Sequence, residues 1–514
     1  MKGIKRRDFI KYSGLGIAAI YVGGCGGGGG GGGGAAGGGP VGPASQTIDF
    51  TITDAIKEMV THNPNSPLLP NTAECYYWIY QASVDGVALP LESPGPQIYC
   101  KTGDVLTFNV TNALDLPHSF FVPGMVGADT GPIAPGATAS VTFTAGAPGT
   151  YLYHDNLNAP VNRMMGLHGA FVVMPRAAAA GQALTPYGNP TPAIQQLFND
   201  FGRTAWWPGL RWEEGDTPGA LLDFPAPPTR QYIWLCHQAS PVLFEEVGLA
   251  AQAGTTFNPQ TFITAFTADP FVATSNDPRA GNINDVFNRK PQYFTINGQS
   301  GHFAHNHPSI VPMHRVGEPT VVRILNAGLM THSMHLHANH FFVTAINNVP
   351  QENPIWIDVF NVYPMDHVDY TIPYMRPPDI PNVRGIGRAD QGLLTATGDR
   401  TWPPSEEFQV HQPPIGTLRP NPAGTGLPVD IAQPQSPMCY PMHDHSEPTQ
   451  TSQGGNYNCG LIAGIYFIGD RQGTTGPVIN FPIDHEFRMM LEGGGSTSAT
   501  GPAAGHEIKH VPEV

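Results

Sequence analysis

Apolar residues at every second position recur along this chain in short runs bounded by glycine and proline. Leu106, Phe108 and Val110 alternate with polar neighbours behind the turn Gly103-Asp104; Val141 and Phe143 do so behind Pro135-Gly136; Tyr151 and Tyr153 follow Gly149. Such alternation predicts half-buried strands, and many short strands punctuated by Gly/Pro turns predict a β-sandwich or barrel. The first unit begins to read as strands at Gly95 and ends near Pro175. A second starts near Gln231-Tyr232-Ile233-Trp234-Leu235 and runs to about Gly469.

The two units are internally similar. Gly103-Asp104-Val105-Leu106-Thr107-Phe108-Asn109-Val110-Thr111-Asn112-Ala113 lies over Gly317-Glu318-Pro319-Thr320-Val321-Val322-Arg323-Ile324-Leu325-Asn326-Ala327, and each closing Asn is followed six residues on by a histidine, His118 and His332. Further along, Tyr153-His154-Asp155-Asn156 parallels Met442-His443-Asp444-His445. One sandwich is used twice. Between the units, residues 177–229 read as a Pro/Trp-rich linker. Residues 377–437, dense in Pro and Gly, read as an insertion in the second unit, either covering a site or serving assembly.

Composition narrows the class. The 514 residues suggest two to three domains at about 150 residues each; Gly 61, Pro 53 and only 13% charged residues suit an all-β protein with long irregular connections. A net charge of −15 argues against nucleic acid and against adsorption to an anionic membrane surface. Residues 1–25 read as a targeting segment: Lys5-Arg6-Arg7-Asp8-Phe9-Ile10-Lys11 ahead of Ile17-Ala18-Ala19-Ile20-Tyr21-Val22 resembles a twin-arginine export signal. Cys25 stands at a lipoprotein-like processing site, with an ordinary signal and a stray Cys as the alternative. The glycine run behind it, within residues 26–46, suits a flexible tether. The expected location is periplasmic or cell-surface, lipid-anchored through Cys25. Export favours disulfides, and proximity in the chain suggests Cys75 with Cys100 and Cys439 with Cys459, leaving Cys236 over.

Two H-x-H pairs carry the chemistry. On β-strands, His335 and His337 share one face, as do His443 and His445, so four imidazoles converge if the strands are neighbours. Neutral imidazole suits copper, zinc, iron or nickel; the alternative is a set of surface or hydrogen-bonded histidines. His302-Phe303-Ala304-His305-Asn306-His307 repeats the spacing, and reads either as an auxiliary metal-loading site or as a solvated turn. His118 and His168 read as structural. Asp155 and Asp444, each directly behind a His, read as anchors for ligands or as a polar patch.

Pro94-Gly95-Pro96-x-Ile98, Gly149-Thr150-Tyr151-x-Tyr153-His154, His332-x-x-His335-x-His337 and His443-x-His445 before Gly460-Leu461 resemble the four landmark segments of the multicopper oxidases. The resemblance implies an all-β fold of two cupredoxin-like Greek-key β-sandwich domains with long irregular insertions, at residues 47–176 and 230–470, followed by a flexible tail at 471–514. It implies copper as cofactor, with His332 matching a type 1 ligand, His335 a type 2 ligand, and His337, His443, His445 and His154 type 3 ligands. A small-molecule or metal-ion electron donor, O₂, and a homotrimer with His154 supplied across a subunit boundary are the implied partners.

The departures are as informative. Where the family pattern has His-Cys-His, this chain has His443-Asp444-His445, so the thiolate of a blue copper site is missing. Thr449 and Gly454 stand where later ligands belong, and Phe121-Val122-Pro123-Gly124 replaces a His-x-His-Gly segment. Five of the family's eight trinuclear-cluster histidines remain. The expectation is a copper-binding oxidoreductase with a residual type 2/type 3-like site and no blue centre; the alternative is a non-catalytic copper-sequestering or structural surface protein. A nitrite-reductase-like activity is disfavoured by the absence of a Cys after His154.

Overall fold

The computed structural model describes residues 19–22, 42–61, 71–202, 231–267, 293–305, 307, 309–314, 319–337, 339–373, 438–450, 460–467, 471–472 and 478–479. The twin-arginine motif, Cys25, the glycine run, the 377–437 insertion, Cys459 and nearly all of the 471–514 tail lie outside them.

Strands of the first half are β1 (Ala19–Tyr21), β2 (Ser45–Thr61), β3 (Asn71–Val84), β4 (Val87–Ala88), β5 (Gln97–Lys101), β6 (Val105–Asn112), β7 (Thr138–Thr144), β8 (Gly149–His154) and β9 (His168–Met174). They form two sheets, ordered β4-β3-β2-β6-β7 and β1-β5-β9-β8. Strand β6 shows why its pattern was readable: its residues alternate between half-buried and buried, with Leu106, Phe108 and Val110 inside. Part of the apolar run ahead of Cys25 is itself a strand, β1, lying parallel to β5.

The second half contributes β10 (Gln231–Ala239), β11 (Tyr293–Ile296), β12 (Met313–His314), β13 (Thr320–Asn326), β14 (His332–Leu336), β15 (Phe341–Ile346), β16 (Val349–Ile357), β17 (Val359–Val362), β18 (His367–Ile372), β19 (Met438–Asp444) and β20 (Ile462–Phe467). Their sheets are ordered β11-β10-β13-β18-β15-β16 and β12-β20-β19-β14-β17. Strands β9, β10 and β13 are buried at every position. The cause is a third apolar layer, in which Tyr99, Leu152, Ala170 and Val172 of the first half pack on Ile233, Leu235, Val321 and Leu325 of the second. A sheet covered on both faces loses its alternation.

Within that layer Arg323 is fully buried, bonded to Gln231 Oε1 (2.7 Å) and to Thr150 Oγ1 (2.7 Å) of the first sandwich, with Asp369 Oδ2 at 3.4 Å. Arg163 of the four-residue helix α1 (Val161–Met164) crosses the same boundary, donating to the carbonyls of Ala327 (2.8 Å) and Gly328 (3.3 Å). These bonds fix the two sandwiches against each other.

Helices occupy connections that the strand pattern does not describe. The longer ones among the described residues are α2 (Pro192–Gly202), inside the expected linker, and α3 (Pro241–Gln252) and α4 (Pro259–Thr267) between β10 and β11. The capping side chain of Ser240 and Pro241 in the first turn start α3.

One expectation fails. Cys75 on β3 and Cys100 on β5 are not joined: both, like Cys236, are free buried thiols. They stand in different sheets of the first sandwich, and proximity in sequence says nothing about which sheet a strand enters. Burial pushes the Cys75 thiol up to about 12 and raises the Cys100 thiol further.

Candidate metal centre

Strands β14 and β19 run antiparallel, with Met334 opposite Asp444, His335 opposite His443 and Leu336 opposite Met442. Met334, Leu336 and Met442 fill the core, which turns His335 and His443 to the outer face of the sheet. His337 and His445 follow the strand ends and are exposed. They are held in line by backbone bonds, His337 N to Pro441 O (2.9 Å) and His445 N to Ser333 O (2.8 Å).

One ring nitrogen from each of His335, His337 and His443 lies within 4.8 Å of the other two. The Nε2 atoms of His337 and His443 are 2.8 Å apart. The His445 ring joins the group at 5.3 Å from His335 and 5.8 Å from His443, centroid to centroid. His335 Nδ1 meets the carbonyl of Asp358 and His443 Nδ1 that of Asp444, both at 3.0 Å. A ring whose Nδ1–H donates to a carbonyl presents its Nε2 lone pair, the form a metal takes. Burial, followed by the neighbouring rings, holds His337 below its ordinary pKa. His443 is lowered for the same reasons, against a raising contribution from its bond to the Asp444 carbonyl. Neutral, convergent nitrogen donors suit copper.

His332 takes no part in this convergence. It points inward, fully buried, with Nδ1 2.5 Å from Asp444 Oδ2 and Nε2 against the Gln238 side-chain amide. With its Nδ1–H given to Asp444, its Nε2 accepts from the amide, and no nitrogen is left for an ion. Burial works to raise the Asp444 carboxyl, but the hydrogen bond and charge of His332, then the Ser333 amide, outweigh it and hold the group below its usual range. His332, which the resemblance matches to a type 1 ligand, is thus paired with a carboxylate and closed off by Gln238.

The first sandwich repeats this construction. His118 Nδ1 is 2.7 Å from Asp155 Oδ2, both side chains fully buried. Asn112 Nδ2 donates to the carbonyls of Leu116 (2.7 Å) and Ile133 (2.9 Å), and Asn326 Nδ2 to those of Met330 (2.7 Å) and Val362 (3.0 Å). His154, at the end of β8, stands apart from the second-sandwich group, its Nδ1 on the Asp155 carbonyl (3.0 Å) and the Phe121 ring edge-on at 5.6 Å. Phe121 fills a position that the family pattern gives to a ligand. Of the cluster at His302–His307, the segment His302–His305 is one helical turn, and His307 Nδ1 bonds Ser309 Oγ at 2.8 Å. The sequence signalled the histidines, but not Gln238 or the Asp358 carbonyl, which lie far from them along the chain.

A pair of β-sandwiches thus carries, on one outer sheet face, three convergent imidazoles of the kind that could hold a metal ion. Family models described as multicopper oxidase match residues 80–178 and 270–376. Each half of the chain thus carries a segment that matches a multicopper oxidase domain, and copper is the metal that this likeness implies.

No curated protein matches. Among solved structures the chain is similar to a blue copper oxidase from Nitrosomonas europaea, at 17% identity over 82% of this chain and 86% of that one (TM-score 0.44). It is similar also to the multicopper oxidase mgLAC, at 18% over 82% and 86% (TM-score 0.42). A copper nitrite reductase from Nitrosomonas europaea is similar at 14% over 85% and 98% (TM-score 0.41).

Proposed function

We propose that this protein is an exported copper oxidoreductase whose centre is formed by His335, His337 and His443, with His445 alongside, and that it works without a blue copper relay. The observation that carries the reading is the meeting of three ring nitrogens across one strand pair. Copper bound there supplies one-electron redox chemistry.

The protein's own groups set the conditions. The Asp358 and Asp444 carbonyls orient the His335 and His443 rings. Asp444 and Gln238 engage both nitrogens of His332, so no thiolate–imidazole relay lies behind the centre. A donor therefore reaches the metal from the solvent side, past the exposed rings of His337 and His445. Small diphenols or reduced metal ions are the donors of suitable size, with O₂ as acceptor. The same openness suits a homotrimer in which His154 of a neighbouring copy covers the site.

Steady-state oxidation of diphenols, Cu(I), Fe(II) and Mn(II) with added copper tests the proposal. Turnover that vanishes in His335→Ala supports it. Stoichiometric binding without turnover replaces it with copper sequestration.

A further inference from the structure

Residues 19–22, which the sequence places in an export segment, are built into the first sandwich. Ala19, Ile20 and Tyr21 of β1 lie parallel to Gln97, Ile98 and Tyr99 of β5, and Val22 N donates to Tyr99 O at 2.9 Å. Ile20 and Val22 are each 4% exposed and join Ile98 and Cys100 in the core of that sandwich. Ala19 and Tyr21 turn the other way, onto the layer between the sandwiches, where the Tyr21 ring stacks on Tyr99 at 5.0 Å with 14° between the planes. The twofold alternation of β1 thus matches that of β5 residue for residue.

Strand β5 depends on this partner. It lies between β1 and β9, and residues 97–100 are all buried. Without β1 the backbone groups that β5 turns toward it lose their partners, and an apolar edge opens. The core loses the Ile20 and Val22 side chains as well, and buried apolar groups removed without replacement leave a cavity.

Removal of an export segment ahead of Cys25 would take all of this away. We propose instead that residues 19–22 stay in the working protein as the edge strand of the first sandwich, held in a strand-accepting groove along β5. The recognition is that of strand addition: main-chain bonds hold the segment, and alternate side chains choose its register. The groove fits an extended apolar segment with β-branched residues at its second and fourth places, Ile20 and Val22, and an aromatic ring at its third, Tyr21.

The test uses the full chain with a protease recognition sequence inserted between Gly24 and Cys25, cut after purification and compared with the uncut chain. Amide exchange over residues 97–101 is read by mass spectrometry alongside the unfolding temperature, and a synthetic peptide of residues 17–24 is added back. The cut segment is expected to stay with the protein through a sizing column. Once Ile20→Asp releases it, exchange at residues 97–101 should quicken by about tenfold or more, the unfolding temperature should fall, and the unaltered peptide should restore both. Association of stripped chains that the peptide reverses shows a second copy in the same groove and also supports the proposal. A segment that leaves on cutting while a monomeric chain keeps its protection and unfolding temperature would overturn it, as would a peptide without effect. Where Ile20→Asp does not fold, a fluorescent form of the peptide decides: exchange into the cut chain supports the groove, and no binding overturns it. No arm reads copper or turnover, so failure of the outer centre would leave this result untouched.

Discussion

The Nε2 atoms of His337 and His443 face each other at 2.8 Å across the β14–β19 pair. Two imidazole nitrogens at that spacing either share a proton or turn both lone pairs on a common ion. Because His335 brings a third nitrogen to the same point, the ion is the better account of why three rings crowd together.

His443→Ala should therefore weaken copper binding by more than about 100-fold, since loss of a mere supporting contact costs 10–100-fold. Competition against a chelator of known affinity measures it. Retention of full affinity would show that the rings converge for another reason.

Asp444→Cys restores a thiol where the family pattern has one, yet the single variant should show no intense visible band with copper(II). Gln238 still occupies His332 Nε2. An optical titration checks this, and a strong blue band would mean that the amide yields easily.

Arg323 and Asp369 are both buried in the seam. Arg323→Leu strips Asp369 of its cation and should destabilise the chain by about 3–5 kcal/mol, whereas Arg323→Leu with Asp369→Leu should recover much of the loss. Urea unfolding of the set separates the two cases.

Burial, partly opposed by Asp369 and Asp366, lowers the pKa of His367. The folded state thus binds its proton less readily than the unfolded chain does. The neutral ring's contribution is complete above the unfolded pKa of about 6.5 and is lost as pH falls from there toward the lower folded value. His367→Gln should flatten the fall in stability below about pH 6.5, as followed by thermal melts across pH.

Much of the site was legible because strand parity is a property of neighbours in sequence. His335 and His337 had to share a face, and His332 the other, whatever the rest of the chain did. The Asn112–His118 and Asn326–His332 spacings revealed the duplication for the same reason. What stayed hidden depends on contacts between distant segments. Gln238 reaches His332 across 94 residues, and continuous burial of β10 and β13 follows from a layer that only the folded pair of sandwiches creates. Cys75 and Cys100 are near in the chain yet unjoined, because chain distance does not report which sheet a strand enters. Helix α3 is marked in the sequence by Ser240-Pro241, a signal that twofold alternation does not carry.

The amides of Asn112 and Asn326 tie equivalent loops in the two halves through the same pairs of carbonyls. Such a latch is indifferent to what the following strand carries. It let one half load the following strand with the convergent rings of His335 and His337 while the other carries Phe121 at the matching place, so ancestry is preserved in the fastening and divergence is confined to the cargo.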